Sequence, residues 1–206
     1  MTDRDRKQHW EGVYSSKAVD EVSWYQERPE PSLALVARSG IDQKAAIIDI
    51  GGGASLLIDH LLEQGYQDLT LLDISRAVLK KVSERLAERA LNVTMVEADV
   101  TEFVPDRPYQ LWHDRAAFHF LTARKDRQKY VKVLRRGLAS GGALLLATFA
   151  PEGPEKCSGL DIVQYDAEKI ASELGEGFVL EEQCLVAHVT PSNGEQLFNF
   201  FRFQRL

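Results

Sequence analysis

Asp49-Ile50-Gly51-Gly52-Gly53-Ala54-Ser55 closes a short apolar run and opens a stretch with helical spacing. Three consecutive glycines are costly in a plain tight turn, and they let the backbone approach a ligand closely. A helix start behind them offers free N–H groups. Asp73 follows Leu69-Thr70-Leu71-Leu72, and Asp99 follows a third apolar run at 93–98. A carboxylate just past a second strand can accept both hydroxyls of a ribose, and one past a third can accept an exocyclic adenine amine. Taken singly, each acid also reads as a helix cap or turn residue. At successive strand ends beside the glycine turn, the two describe a nucleoside pocket with no phosphate grip. The phosphate-binding patterns fail on detail. No G-x-x-x-x-G-K-[ST] run exists. A dinucleotide fingerprint needs a third glycine where Leu56 stands, and it has no place for Asp49.

These residues need a scaffold that brings strand ends together. Residues 45–50 suit a buried strand, 54–63 a helix stopping at Gly65, 69–72 a second strand, and 75–89 an amphipathic helix with Ser75 as N-cap. Strands at 93–96 and 109–112 follow, then a helix at 126–138 and a fifth strand at 143–149 after Gly141-Gly142. Alternating strands and helices, with strands apolar on both faces, imply a parallel sheet covered on both sides. Residues 100–108 leave little room for a helix. Nine extended residues reach roughly 30 Å, whereas three strand spacings take only about 14 Å, so a bare loop can make that crossover. The end breaks the rhythm. Residues 178–189 and 196–203 are extended around Asn193-Gly194, a strong hairpin signal. Phe198 and Phe200 alternate with Phe201 and Phe203, which places apolar rings on both faces and inserts the last strand inside the sheet.

The chain has 206 residues, 44% hydrophobic and 27% charged, with a net charge of −6. This is globular composition for one domain, 1–206, made of a core over 45–206 and an arm over 1–44. The acidic balance argues against nucleic acid as partner. Cys157 and Cys184 are the only cysteines; they fit a reducing compartment and no metal site is expected. The charged start carries no apolar stretch, and no run approaches 18 apolar residues, so a cytoplasmic protein without signal peptide or membrane span is expected, as monomer or homodimer.

In this arrangement the chain resembles the class I S-adenosylmethionine-dependent methyltransferases over residues 45–206. Asp49-Ile50-Gly51-Gly52-Gly53 looks like their D-x-G-x-G motif, with Ser55 where the last glycine usually stands. Asp73, with Ile74 beside it, matches the ribose-binding acid, and Ala98-Asp99-Val100 the adenine-binding motif. Tyr109 to Asp114 matches the fourth strand, where the backbone at Asp114 usually contacts the methionine part. The resemblance implies an α/β, three-layer, doubly wound and mostly parallel sheet of seven strands, in order 3-2-1-4-5-7-6 with strand seven antiparallel. It also implies S-adenosyl-L-methionine as cofactor, leaving as S-adenosyl-L-homocysteine. Methyl transfer is an in-line displacement at a sulfonium, so a dry pocket and accurate positioning supply most of the acceleration.

The acceptor side leaves alternatives open. His113 or His119 can deprotonate an acceptor, or His119 can be a packed helix-start residue. Arg115 can bind a substrate carboxylate or pair with Asp114. Trp10, Tyr14, Trp24 and Tyr25 precede the core; in many family members such a segment forms a lid over the cofactor, which would place Tyr14 and Trp24 against it, and the alternative is a brace on the sheet edge. No N/D-P-P-Y/F follows the fourth strand and no Pro-Cys nucleophile exists. Residues 10–25 look like the front end of small methyltransferases that act on protein lysines or on small molecules. A catalytically silent binding module and a nicotinamide oxidoreductase, the latter weakened by Leu56, are the rival readings.

Overall fold

A computed structural model describes residues 3–206 of the chain. Five strands, β1 (Ala46–Ile50), β2 (Asp68–Asp73), β3 (Val93–Glu97), β4 (Tyr109–Arg115) and β5 (Leu138–Phe149), are mutually parallel. A small separate hairpin, β6 (Lys156–Cys157) with β7 (Leu160–Asp161), precedes the long pair β8 (Phe178–Val189) and β9 (Glu195–Arg205). The main sheet has the order β3-β2-β1-β4-β5-β9-β8, with β9 antiparallel to both neighbours. Counting its own strands only, this is the expected 3-2-1-4-5-7-6. Residues 98–108 contain no helix, so a bare loop makes the crossover from β3 to β4.

Alternation along the strands builds two apolar layers. Ile47, Leu71, Leu111 and Leu145 meet Leu33 and Val36 of α2 (Glu30–Arg38), Leu57 and Leu61 of α3 (Leu57–Glu63), and Val82 and Leu86 of α4 (Arg76–Leu86). Ile48, Trp112, Leu144 and Leu146 meet Tyr130 and Leu134 of α5 (Arg124–Gly137) and Ile170 of α6 (Ala167–Leu174). On β9, Phe198 and Phe200 enter the first layer and Phe201 and Phe203 the second. Burying each such ring contributes roughly 1.5–3 kcal/mol, and their two-sided burial requires the interior position that β9 holds.

Several boundaries differ from the sequence expectation. Residues 54–56 continue the glycine turn, so α3 starts only at Leu57. Ser75 does cap α4, accepting from the Val78 N–H. That helix stops at Leu86, where Ala87 turns to φ 51, and a 3-10 turn over Ala87–Asn92 leads into β3. The fifth strand starts directly from α5. Tyr109 pairs with Leu138 and Leu111 with Ala143, and Gly141 at φ +74 lets the surplus residues bulge out. The arm is helical: α1 (Asp3–Ser16) lies beside α4, and no helix among the described residues is long and apolar enough to cross a membrane.

Candidate active site

The glycine turn sits where β1 ends, between the carboxyl ends of β2 and β4. Gly51 donates its N–H to the Leu72 carbonyl at 2.7 Å and takes φ +58. A Cβ there would stand 2.7 Å from the Ala117 Cβ, so only glycine lets the turn lie against the residues following β4. Gly53 donates its N–H to Asp73 Oδ2 at 3.0 Å, and Ser75 donates its N–H to Oδ1 at 2.8 Å. The carboxylate at the end of β2 therefore ties the turn to the start of α4, yet each oxygen keeps acceptor capacity. Burial pushes the Asp73 carboxyl up to about 7, against the pull of those two N–H groups.

Beside this turn opens a cleft of about 830 Å³, its mouth included. Gly51, Asp73, Ile74, Asp99 and Val100 line one end, with Ala116, Ala117 and Phe120 in the middle. Tyr14, Trp24, Arg115, Cys157 and Phe198 also form its wall. Gly52 and Asp49 instead face the protein, because a Cβ on Gly52 would strike the Asp49 carboxylate and Leu71. Gly53 is covered by the Tyr14 hydroxyl. Asp99 is already engaged: Oδ1 accepts from the Thr101 N–H at 2.8 Å and its hydroxyl at 2.7 Å, and Oδ2 from Arg6 Nε at 2.9 Å. Arg6 Nη2 lies 2.9 Å from the same oxygen, so both oxygens of Asp99 are engaged by the protein.

The end of β4 sends Asp114 and Arg115 to opposite faces of the sheet. Successive side chains on a strand point to opposite faces, so Asp114 and Arg115 cannot pair. Asp114 is fully buried in the α5 layer and accepts from the Tyr130 hydroxyl at 2.7 Å and from the N–H groups of Ala117 at 2.9 Å and Phe118 at 3.2 Å. Its carboxylate holds the turn that follows β4, and its side chain does not line the cleft. Tyr130 also receives the Trp112 indole N–H at 3.0 Å, which satisfies a chain of buried polar groups.

His113 belongs behind the site as well. It is paired in register with Asp49 across β1 and β4. Its Nδ1 lies 2.7 Å from Asp49 Oδ1, and its Nε2 lies 2.9 Å from the Ser32 hydroxyl of α2. This buried chain ties α2 to the root of the glycine turn and reaches no open space. His119 is fully buried, with its ring 4.5 Å from Phe120 and 5.0 Å from Phe149. Neither ring nitrogen has a partner, and burial, aided by Arg115, drives its pKa down to about 3. The structure thus places His119 as a packed ring rather than at the cleft wall.

The arm supplies a wall that local sequence spacing announces only in part. Arg6, Trp10 and Tyr14 fall at four-residue intervals, so α1 presents them on one stripe, and all three line the cleft. Trp10 meets Trp24 and Phe120 edge-on, with ring centroids 5.8 and 5.0 Å apart. Burial raises the Tyr14 hydroxyl well above its ordinary pKa, and the neighbouring Asp73 adds to this. Arg6 reaches Asp126 of α5 at 3.0 Å in addition to Asp99. On the next stripe, Lys7 pairs with Glu97, and Glu11 accepts the N–H groups of Arg76 at 2.7 Å and Ala77 at 3.2 Å at the start of α4. Arg6 and Glu11 were not legible as site residues, although their four-residue spacing to Trp10 and to Lys7 was available. Phe198 carried no signal as a wall residue, because its place at the cleft depends on the insertion of β9.

Residues 47–142 match the family model described as a methyltransferase domain. Among curated proteins, the chain is 28% identical over 138 residues to the eEF1A lysine and N-terminal methyltransferase of Bos taurus, covering 66% of this chain and 19% of that protein. It is 24% identical over 157 residues to the EEF1A lysine methyltransferase 2 of Danio rerio, covering 69% and 67%. The chain thus spans about a fifth of the length of the first of these relatives. Among solved structures, a SAM-dependent methyltransferase from Anabaena variabilis superposes with a TM-score of 0.76 at 15% identity, over 99% of this chain and 95% of the other. A protein from echinomycin biosynthesis, studied for conversion of a disulfide bond into a thioacetal group, gives 0.77 at 17% identity, over 97% and 93%. Residues 47–142 thus match a methyltransferase-domain model, and the whole chain shares the architecture of these solved structures.

Proposed function

We propose that the cleft binds S-adenosyl-L-methionine and that the protein transfers its methyl group to a small-molecule or protein side-chain acceptor. The observation that carries this reading is the corner formed by the Gly51 turn and Asp73. A glycine turn packed so closely on Ala117 that no Cβ fits lies at the cleft beside a buried carboxylate with spare lone pairs, and no phosphate-binding motif accompanies it. On this reading Asp73 accepts the ribose hydroxyls, while Ile74, Asp99 and Val100 enclose the base. Gly51 and Gly53, shaped by Asp49 and Gly52 behind them, and the backbone at Asp114 give the methionine part its place. Tyr14 and Trp24 close the site from the arm. The cofactor supplies a sulfonium methyl, a good electrophile without further activation. The chain's own contribution is alignment and exclusion of water by the ring wall of Trp10, Trp24, Phe120 and Phe198. The reading assigns no general base to histidine.

The names of both eEF1A relatives keep a protein acceptor open beside a small molecule, and the net charge of −6 disfavours nucleic acid. A cytoplasmic location fits the same set. Titration with S-adenosylhomocysteine tests the cofactor reading; absence of binding refutes it. Radiolabelled methyl transfer into cell extract, split into protein and small-molecule fractions, then tests the enzyme and its acceptor class. A chain that binds the cofactor but labels neither fraction is a binding module.

A further inference from the structure

Arg115 is the one charged group of the cleft wall that neither ties an element down nor finds an opposite charge among the described residues. Its Nη1 donates to the Trp24 carbonyl at 2.9 Å, and its guanidinium lies 5.0 Å from the Phe198 ring centroid. Its Nε and Nη2 are shut from solvent and have no hydrogen-bond partner. Arg6, at the opposite end, has Asp99 and Asp126. A guanidinium is strongly disfavoured in an apolar setting unless its N–H groups are met. Its planar fork matches a carboxylate in particular. Burial lowers its pKa only to about 10, so it remains a cation at neutral pH.

Its place in the sheet separates it from the nucleoside end. The side chain leaves β4 toward Phe198 on β9, across β5, while the glycine turn and Asp73 lie on the other side of β4, at β1 and β2. The group therefore points away from the nucleoside end. Around it the wall is aromatic and apolar: Trp24, Phe120, Phe198 and the Cys157 thiol, which burial pushes up to about 11 and so keeps neutral. We infer that Arg115 receives the carboxylate of the methyl acceptor, and that the acceptor is a small carboxylic acid with a planar or apolar body. This rests on the cofactor reading above and narrows its acceptor. A lysine ammonium brought to the same place would meet a like charge.

The probes are benzoate and its neutral analogue benzamide, titrated calorimetrically into protein saturated with S-adenosylhomocysteine. Wild-type protein should bind benzoate at least tenfold more tightly than benzamide. Arg115→Leu should abolish that preference, and Arg115→Lys, which keeps charge but loses the fork, should retain part of it. Affinity for S-adenosylhomocysteine itself should change less than threefold in both variants. Equal binding of the two probes by the wild-type chain, or a preference that survives Arg115→Leu, overturns the inference. So does a tenfold loss of S-adenosylhomocysteine affinity in Arg115→Leu with 5′-methylthioadenosine affinity intact, because Arg115 would then hold the cofactor's own carboxylate. Failure of the wild-type chain to bind S-adenosylhomocysteine sinks the cofactor reading and this inference together; binding without carboxylate preference sinks the inference alone.

Discussion

Replacing Asp73 by Asn separates the two duties that the carboxylate performs. It tethers Gly53 N–H at 3.0 Å through Oδ2 and Ser75 N–H at 2.8 Å through Oδ1. Asparagine keeps one carbonyl oxygen, so one tether survives and the amide group faces a buried donor. A buried donor left unsatisfied costs roughly 1–3 kcal/mol, which for a chain of this size lowers the melting temperature by about 2–12 °C. Ribose hydroxyls bound to a carboxylate are charge-assisted contacts worth about 1.5–3 kcal/mol, so the dissociation constant for S-adenosylhomocysteine should rise about tenfold to a hundredfold. The pH dependence adds an internal control. The folded carboxyl titrates at about 7 and the unfolded one at 3.8, so folding takes up a proton between these values. Asp73's contribution to stability is therefore fully present below about 3.8 and lost as pH rises through about 7. Ribose binding needs the ionised form, so wild-type affinity should rise about tenfold between pH 6 and pH 8, while Asp73→Asn should lack that rise. Calorimetric titration at both pH values, with thermal unfolding on the same samples, reads all of this. A folded variant that binds within threefold of wild type at pH 8 refutes the ribose role, and Asp73 is then only a tether.

The remaining outcomes follow from the same geometry. Gly51→Val places a β-branched side chain at φ +58 and against Ala117, so it should lose both S-adenosylhomocysteine binding and several degrees of melting temperature; a variant as stable as wild type contradicts the close approach. Glu11→Gln weakens the cap on the first N–H groups of α4 and should cost about 0.5–2 kcal/mol in denaturant unfolding, with cofactor affinity falling less than fivefold; unaltered stability means the arm is not fastened there. His119→Phe replaces a buried ring whose nitrogens have no partners by one of similar shape, so stability should hold or rise and labelling in the extract assay should persist. A collapse of labelling in a folded His119→Phe protein would restore His119 as the proton acceptor.

Legibility followed the range of the physics that places each residue. The parallel sheet was readable because buried strands are apolar on both faces, and the glycine turn because no ordinary turn needs Gly51, Gly52 and Gly53 together. The interior position of β9 was readable from four phenylalanines at both parities. The two histidines were not readable. His113 and Asp49 face each other only because β1 and β4 pair in that register, 64 residues apart in the chain. His119 is silenced by Phe149 and Phe120, of which only the second is its neighbour in sequence. Asp114 and Arg115 point to opposite layers because a strand alternates, and the strand reaches Arg115 rather than ending near Trp112.

Within the arm, α1 presents two stripes. Arg6, Trp10 and Tyr14 form the wall, and Lys7 and Glu11 form the fastening. The polar ties of α1 include Asp99 after β3, Glu97 on β3, the start of α4 after β2, and Asp126 of α5. Its contacts with Trp24 and Phe120 toward β4 are aromatic. Charge-assisted contacts fix orientation, whereas packed rings exclude water and adapt to what lies beside them. The arm thus holds a fixed edge over the end where one cofactor must always bind. Its edge over the β4 end is held by ring contacts with Trp24 and Phe120. Tyr14 stands at the junction, buried with Ala54 and Val78 and against Gly53. Any displacement of α1 therefore disturbs the glycine turn and the core beneath it together.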